Sequence, residues 1–123
     1  MRKIAATVIL MITLCGCSIQ NVDQPRIIKS YQSNATWYEC CKKTANGEKF
    51  NPEGMTAAHR SLKFGTMLRL TNPSNGKTVI VRINDRGPFM KGVDLDVSRG
   101  AARHLDIMKK GRARLLVDQL AHD

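Results

Sequence analysis

Five short runs of apolar and β-branched residues, separated by turn residues, set the strongest limit on how this chain can fold. A single helix interrupts them, because Ser98 is a good N-cap and an apolar stripe runs through Arg99–Met108 towards Gly111. Strands in so small a domain leave unpaired edges unless the sheet closes on itself. The pattern therefore predicts a mainly β fold, a small closed barrel. The runs that predict strands are Ala35–Tyr38, Met67–Thr71, Thr78–Ile83, Val93–Val97 and Ala113–Leu120.

The turn after the third of these runs carries the first candidate for chemistry. Thr78–Ile83 stops abruptly at the sequence Asn-Asp-Arg-Gly-Pro of residues 84–88, in which glycine and proline mark a turn. A carboxylate at a strand end, between Arg82 and Arg86, can be a positioned ion, so Asp85 is a candidate site residue. From this segment alone, capping of the turn by the side chain explains Asp85 equally well.

The N-terminus has the pattern of a signal peptide. Two basic residues precede the apolar stretch Ile4–Leu14, which is much shorter than the roughly 20 residues that a membrane-spanning helix needs. The Leu-Cys-Gly-Cys sequence of residues 14–17 resembles a bacterial lipobox. This resemblance implies that residues 1–16 are removed and that Cys17 carries a lipid. The serine at position 18 implies sorting to the bacterial outer membrane, with the protein facing the periplasm.

The rest of the chain divides into a tether and one domain. Residues 17–33 are expected to be a lipid-anchored tether, because most of this segment is polar and lacks an apolar period. Residues 34–120 are long enough for one domain with a modest core, but not for two. The sequence does not fix the oligomeric state, and a monomer is expected.

The charge of the chain bears on its partners. The net charge is +10, or about +8 once Arg2 and Lys3 are removed, and the basic residues are spread along the chain. Such a domain favours polyanions. An exported protein meets the cell wall, whose stem peptides carry carboxylates. Nucleic acid is excluded as a partner, because the six aromatic residues show no repeated basic–aromatic pattern of the kind that single-strand binders use.

Cys40 and Cys41 are the cysteines that remain in the predicted domain. Adjacent cysteines close a strained ring if they bond to each other. In an oxidising compartment a vicinal disulfide, a mixed disulfide and a dimer are all open, and two structural thiols are favoured over catalysis. No metal and no cofactor are expected, because there is no second cysteine pair and the three histidines lack ligand spacing.

Several motifs follow one another in the order and spacing of one family. They are Ala-Thr-Trp-Tyr at 35–38, Lys-Thr-Ala-Asn-Gly-Glu-Lys-Phe at 43–50, Met-Thr-Ala-Ala-His-Arg at 55–60, Phe-Gly-Thr at 64–66, Arg-Ile-Asn-Asp-Arg-Gly-Pro-Phe at 82–89 and Asp-Leu-Asp-Val-Ser at 94–98. Over about residues 34–119 the chain thus resembles the rare lipoprotein A (RlpA-like) family. The resemblance implies a six-stranded double-psi β-barrel with one short helix. It also implies an endolytic peptidoglycan lytic transglycosylase, which cleaves the MurNAc–GlcNAc β-1,4 bond and leaves 1,6-anhydro-MurNAc ends.

The resemblance implies three catalytic residues, Glu48, His59 and Asp85. Asp85 is expected to be the acid that protonates the leaving oxygen, and Glu48 and His59 are expected to tune or replace it. In this reaction the C6 hydroxyl of the muramic acid attacks its own C1. One acid that later serves as the base is therefore sufficient.

Four neighbouring residues are expected to bind the substrate. Asn84 and Arg86 can orient Asp85 and contact the glycan, although solvated charge explains Arg86 nearly as well. Trp37 and Tyr38 suit stacking on sugars, but one of the two must face the core if the segment is a strand. Asp96 is interpreted as a residue that pins the following turn or an arginine.

Two other functions stay open at this point. The first is a non-catalytic, expansin-like module that binds peptidoglycan without cutting it. The second is a hydrolase that leaves reducing ends, which needs a second carboxylate at about 6.5–9.5 Å from the acid. Retention of all three candidate catalytic residues favours the transglycosylase.

Overall fold

The strands of this protein close into a barrel. The computed structural model describes residue 16 and residues 24–122. Residues 24–122 contain the strands β1 (Ile27–Tyr38), β2 (Thr56–His59), β3 (Met67–Thr71), β4 (Thr78–Asp85), β5 (Leu95–Ser98) and β6 (Arg112–Leu120), and the helix α1 (Arg99–Leu105). Around the barrel the order is β1-β5-β2-β4-β3-β6, and β6 pairs back to β1. The predicted six-stranded double-psi β-barrel with one short helix is confirmed.

Two parallel strand pairs, joined by one antiparallel pairing, set the position of the site. β1 pairs in parallel with β5, and β2 pairs in parallel with β4. An antiparallel pairing between β2 and β5 joins these two pairs. The four strands β1, β5, β2 and β4 therefore lie side by side.

Buried and exposed residues alternate along the strands, and the buried apolar side chains fill the barrel. In β4, Val79, Val81 and Ile83 are buried, whereas Thr78 and Ile80 are exposed. In β6 the buried positions also alternate with exposed ones. Each fully buried Val, Leu or Ile contributes about 1.5–3 kcal/mol, so these inward rows stabilise the closed sheet. The helix α1 packs against β1, β4 and β5 and buries Ala101, Ala102 and Leu105.

The barrel begins earlier than residue 34. β1 starts at Ile27 and pairs with β6 as far as Leu120, so residues 27–33 of the expected tether belong to a strand. This half of β1 is mostly exposed, which is why its sequence lacks an apolar period. Residues 17–23 lie outside the described residues.

Other boundaries also differ from the prediction. β2 was not predicted, because its two alanines lack the bulk that marks a strand. The helix begins as predicted at Ser98, whose side chain accepts a hydrogen bond from the Ala101 N–H. It ends at Leu105 because Asp106 adopts the left-handed conformation and its N–H caps the last turn. β4 continues through Asp85, so this residue ends a strand rather than lying in the turn.

The expected signal peptide, apart from Gly16, and the expected lipid site at Cys17 lie outside the residues that the structure describes. Of residues 1–17, only Gly16 is described. In the described part of the chain, no helix is long and apolar enough to cross a membrane.

Candidate active site

A groove of about 620 Å³ opens where β1, β5, β2 and β4 lie side by side. In the strand register Thr36 pairs with Asp96, Asp96 with Ala58, and Ala58 with Asp85. Neighbouring strands are about 4.8 Å apart, so the backbones of Asp85 and Asp96 are separated by roughly 10 Å. The small side chain of Ala58 lies between them and also lines the groove. Two carboxyl groups therefore flank a shallow floor, and we call this surface the Asp85–Asp96 groove.

Asp85 accepts hydrogen bonds from three donors. Its Oδ1 accepts hydrogen bonds from the backbone N–H groups of Ala45 and Arg86, both at 2.8 Å. Its Oδ2 accepts a hydrogen bond from the Tyr38 hydroxyl at 3.2 Å. Burial and the charge of Asp85 raise the pKa of Tyr38, so the phenol keeps its proton and stays a donor. Three donors thus fix the position of this carboxyl group at the end of β4.

Asp96 has the opposite surroundings. It is half-buried, and Oδ1 accepts one hydrogen bond, from the Thr36 hydroxyl at 2.9 Å. Burial raises the pKa of Asp96, and the nearby charge of Asp85 raises it further, whereas the Thr36 bond lowers it. Asp96 forms no ion pair with a cation of residues 24–122, which differs from its interpretation as the partner of an arginine. The groove thus holds two carboxyl groups with different surroundings, one that accepts three hydrogen bonds and one that accepts a single bond.

Glu48 is held as an anion and is not among the residues that line this groove. Both of its oxygens face the Arg82 guanidinium, with 2.8 Å between Oε2 and Nη2. The side-chain amides of Asn46 and Asn84 donate to it at 2.8 and 3.2 Å. These bonds, above all those from Arg82, lower the pKa of Glu48 to about 2. Glu48 is therefore a poor proton donor and acts as an anchor for the neighbours of Asp85.

Replacement of Glu48 by glutamine is expected to lower the free energy of unfolding at neutral pH by about 1 kcal/mol, the value of a partly exposed ion pair. The folded pKa of about 2 lies below the ordinary value of 4.5. The ionised group thus stabilises the fold above pH 4.5, and this contribution is lost as the pH falls through 2. Denaturant unfolding at a series of pH values measures the difference from the wild type, which should shrink with acidification. A difference that stays constant at all pH values would contradict this account of Glu48.

His59 supports the groove through the turn that follows β2. Its Nδ1 accepts hydrogen bonds from the N–H groups of Ser61 and Leu62, both at 3.0 Å. Burial, helped by the charge of Arg60, lowers the pKa of His59, so the ring is neutral with its proton on Nε2. The carbonyl oxygens of His59 and Leu62 accept hydrogen bonds from the Arg86 guanidinium. His59 consequently positions Arg86 and does not itself line the groove.

The expected substrate-binding residues divide into two groups. Trp37, Tyr38 and Arg86 line the groove with Asp85. Arg86 is fixed over the ring of Phe64, with 3.8 Å between Cζ and the ring centroid. Asn84, in contrast, is only 2% exposed and does not line the groove. Its side-chain amide donates a hydrogen bond to Glu48.

The two neighbouring aromatic residues of β1 have different surroundings. Trp37 packs against the core and donates from Nε1 to the Met108 carbonyl at 3.2 Å. Tyr38 stacks on Phe50, with the ring centroids 4.9 Å apart. As expected for neighbours in a strand, one of the two packs against the core.

Two residues of the groove were missed as site residues by the sequence analysis. Asp96 lines the groove because side chains of successive residues in β5 point to opposite faces of the sheet. The available signal in the sequence was a carboxylate between two apolar residues. Phe89 is 85% exposed and lines the groove, and its signal was an aromatic residue directly after the turn. Among the residues that the structure describes, no group of three or more His, Cys, Asp and Glu side chains could hold a metal ion.

Comparison with protein families and curated proteins gives matches over most of the barrel. Residues 30–117 match the family model described as lytic transglycolase. A Nostoc sp. protein named "Probable endolytic peptidoglycan transglycosylase RlpA" is 51% identical over 96 residues, which cover 74% of this chain and 26% of that protein. Endolytic peptidoglycan transglycosylase RlpA of Neisseria meningitidis is 42% identical over 90 residues, covering 71% and 38%. The chain thus spans well under half the length of these relatives.

Solved structures share the barrel at low sequence identity. The Streptomyces papain inhibitor matches 80% of this chain and 100% of its own, with a TM-score of 0.65 and 16% identity. The expansin of Clavibacter michiganensis matches 77% of this chain and 52% of its own, with a TM-score of 0.62 and 21% identity. These two likenesses support the fold.

Proposed function

Because this chain belongs to the lytic transglycolase family, we propose that it cleaves peptidoglycan glycan strands endolytically. The bond cleaved is the β-1,4 bond between MurNAc and GlcNAc, and the new ends are 1,6-anhydro-MurNAc. The observation that carries this proposal is the pair Asp85 and Asp96, which flank an open groove and differ in the number of hydrogen bonds that they accept. Such a pair supplies a proton donor and a negative charge to one sugar linkage.

The first half of the reaction needs an acid. The proton of Asp96 passes to the glycosidic oxygen, the bond between C1 of MurNAc and this oxygen breaks, and GlcNAc leaves with a free 4-hydroxyl. Positive charge develops at C1, and the Asp85 carboxylate stabilises it. The sequence analysis assigned the acid to Asp85, but Asp85 accepts three hydrogen bonds through its two oxygens and Asp96 accepts one, so this proposal gives the proton to Asp96.

The second half needs no water. The C6 hydroxyl oxygen of the same MurNAc bonds to C1 and closes the 1,6-anhydro ring. Its proton passes to the Asp96 carboxylate, which restores the acid for the next cycle. Glu48 and His59 act on this chemistry as positioning residues, Glu48 through Asn84 and His59 through Arg86.

Phe89 is proposed to bind the substrate by stacking on a sugar ring. Phe89→Ala is expected to weaken glycan binding about fivefold, because roughly 1 kcal/mol of apolar burial is lost, and to leave kcat nearly unchanged. Titration of soluble glycan fragments and the KM for cleavage measure this effect. Ile80→Ala is the matched control, because Ile80 is an exposed apolar residue of β4 that does not line the groove. Equal effects of the two variants would contradict a stacking role.

The chemistry of the products tests the proposed function. Purified protein is incubated with glycan strands, with and without stem peptides, and the soluble products are analysed by mass spectrometry. We expect 1,6-anhydro-MurNAc ends, which disappear in Asp85→Asn and Asp96→Asn. Reducing ends would instead identify a hydrolase. Retention on the cell wall without cleavage would identify a non-catalytic binding module.

We also propose that the protein is a lipoprotein of the outer membrane that faces the periplasm. The lipobox-like sequence before Cys17 and the following serine support this localisation. Metabolic labelling with palmitate is expected to label the protein but not the variant Cys17→Ser. Label retained in this variant would overturn the proposed anchor. A monomer is proposed as well, and light scattering of the purified protein tests this.

A further inference from the structure

The Asp85–Asp96 groove also contains a pair of thiols. The Sγ atoms of Cys40 and Cys41 lie 2.6 Å apart, and both residues are exposed. Both line the groove with Asp85. The proposed cleavage of glycan uses neither thiol, so this pair needs a separate explanation.

We propose that Cys40 and Cys41 form a thiol–disulfide exchange site, whose closure to a vicinal disulfide lowers the activity of the Asp85–Asp96 groove. The effect on activity rests on the function proposed above, whereas the exchange chemistry does not. The reacting partner is a disulfide, carried by a protein or by a small molecule.

The position of the pair in the chain couples it to Asp85. Tyr38, two residues before Cys40, donates to Oδ2 of Asp85. Ala45, four residues after Cys41, donates to Oδ1 of the same carboxylate. The two cysteines therefore lie in the short segment that joins two of the three donors to Asp85. A change of backbone conformation at the cysteines therefore occurs between the residues that carry these donors.

Anchors on both sides keep this change local. The Glu39 carboxylate pairs with the Arg99 guanidinium at 2.7 Å, which fixes the start of the segment. Backbone pairing between Lys43 and Lys49 fixes its other side. Ring closure is consequently absorbed between Glu39 and Lys43, and Lys43 lies two residues before Ala45.

A vicinal disulfide strains the backbone because the cysteines are adjacent. Neighbouring Cα atoms are about 3.8 Å apart across a trans peptide, whereas disulfides usually join Cα atoms about 4.4–6.8 Å apart. Cys41 already has a φ of 87°, a conformation that is unusual for a residue other than glycine. Strained and exposed disulfides are the labile ones, so this bond should open and close readily.

The exchange balances in atoms and electrons. One thiol loses its proton, and its thiolate attacks the partner disulfide, forming a mixed disulfide and releasing one partner thiolate. The second thiol then loses its proton and attacks the mixed disulfide. The vicinal bond forms and the second partner thiolate leaves. Two electrons pass to the partner, and the two protons convert its thiolates to thiols.

The test uses the chain with Cys15→Ser and Cys17→Ser, so that the pair supplies all the thiols. Glutathione buffers from reducing to oxidising set the redox state, and mass spectrometry after alkylation counts the free thiols. We expect a form that has lost two hydrogen atoms, carries no glutathione and stays a monomer. Cleavage should fall about tenfold on oxidation, the effect of losing one hydrogen bond to a charged acceptor. The matched control carries Cys40→Ser and Cys41→Ser as well and should not respond.

Nuclear magnetic resonance gives a readout that does not depend on cleavage. The N–H groups of Ala45 and Arg86 donate to the same oxygen of Asp85 at the same distance. On oxidation the Ala45 amide signal should shift, and the Arg86 signal should shift much less. Mixed disulfides or dimers without ring closure, or ring closure without an Ala45 shift, would overturn the proposal. Equal cleavage by both redox forms would overturn the regulation and leave the proposed function standing. If the signal shifts but neither form cleaves glycan, the exchange site is supported and the proposed function fails.

Discussion

Asp96→Asn is expected to lower the rate of glycan cleavage about a thousandfold and to leave the barrel intact, because a positioned general acid contributes about 10²–10⁴ in rate. Asparagine has the same size and can still accept the hydrogen bond from Thr36. The raised pKa of Asp96 means that its ionised form costs stability above the ordinary carboxyl pKa of about 3.9. Asparagine removes this cost, so the Tm at neutral pH should equal or exceed that of the wild type.

The pH profile of Thr36→Val separates an acid from a merely structural Asp96. Thr36 donates to Asp96 and thereby lowers its pKa, so valine should raise this pKa further. Protonated Asp96 would then persist to higher pH, and the alkaline limb of kcat/KM should move upward. A limb that does not move, together with substantial cleavage by Asp96→Asn, would exclude Asp96 as the acid.

Most of the barrel could be predicted because local sequence patterns indicate most of its strands. The alternating rows of β3, β4 and β6 appear in the sequence as β-branched and apolar runs, and Ser98 marks the helix start. β2 gave no such signal, since its alanines are buried by neighbouring strands rather than by their own bulk. The first half of β1 lacks an apolar period because it pairs with β6 alone and stays exposed.

The site was harder to predict because its contacts cross the barrel. Glu48 could be located by its motif, but its role depends on Arg82, which lies 34 residues later and holds it as an anion. His59 likewise has the residue type of an acid or base, yet two backbone N–H groups occupy its Nδ1. Asp96 gains its importance from a register across four strands, which no local pattern encodes.

Asp85→Asn is expected to lower cleavage at least a hundredfold, with glycan binding and Tm close to the wild type. Asparagine can still accept from the N–H groups of Ala45 and Arg86 through its Oδ1. It lacks the negative charge that stabilises the developing cation at C1, and removing one such electrostatic partner costs about 10²–10³ in kcat. The loss should therefore fall on kcat, whereas the KM for glycan changes little.

Tyr38→Phe is the graded control for this prediction. It removes one donor to Asp85 but keeps the carboxylate and the aromatic ring, which stacks on Phe50. One hydrogen bond to a charged group contributes about 1.5–3 kcal/mol, so cleavage should fall by roughly tenfold or somewhat more, and less than in Asp85→Asn. If Tyr38→Phe lost as much activity as Asp85→Asn, the hydroxyl itself would take part in the proton transfer. If neither variant lost activity, the carboxylate would not stabilise the cation, and the groove would need a different chemistry from the one proposed.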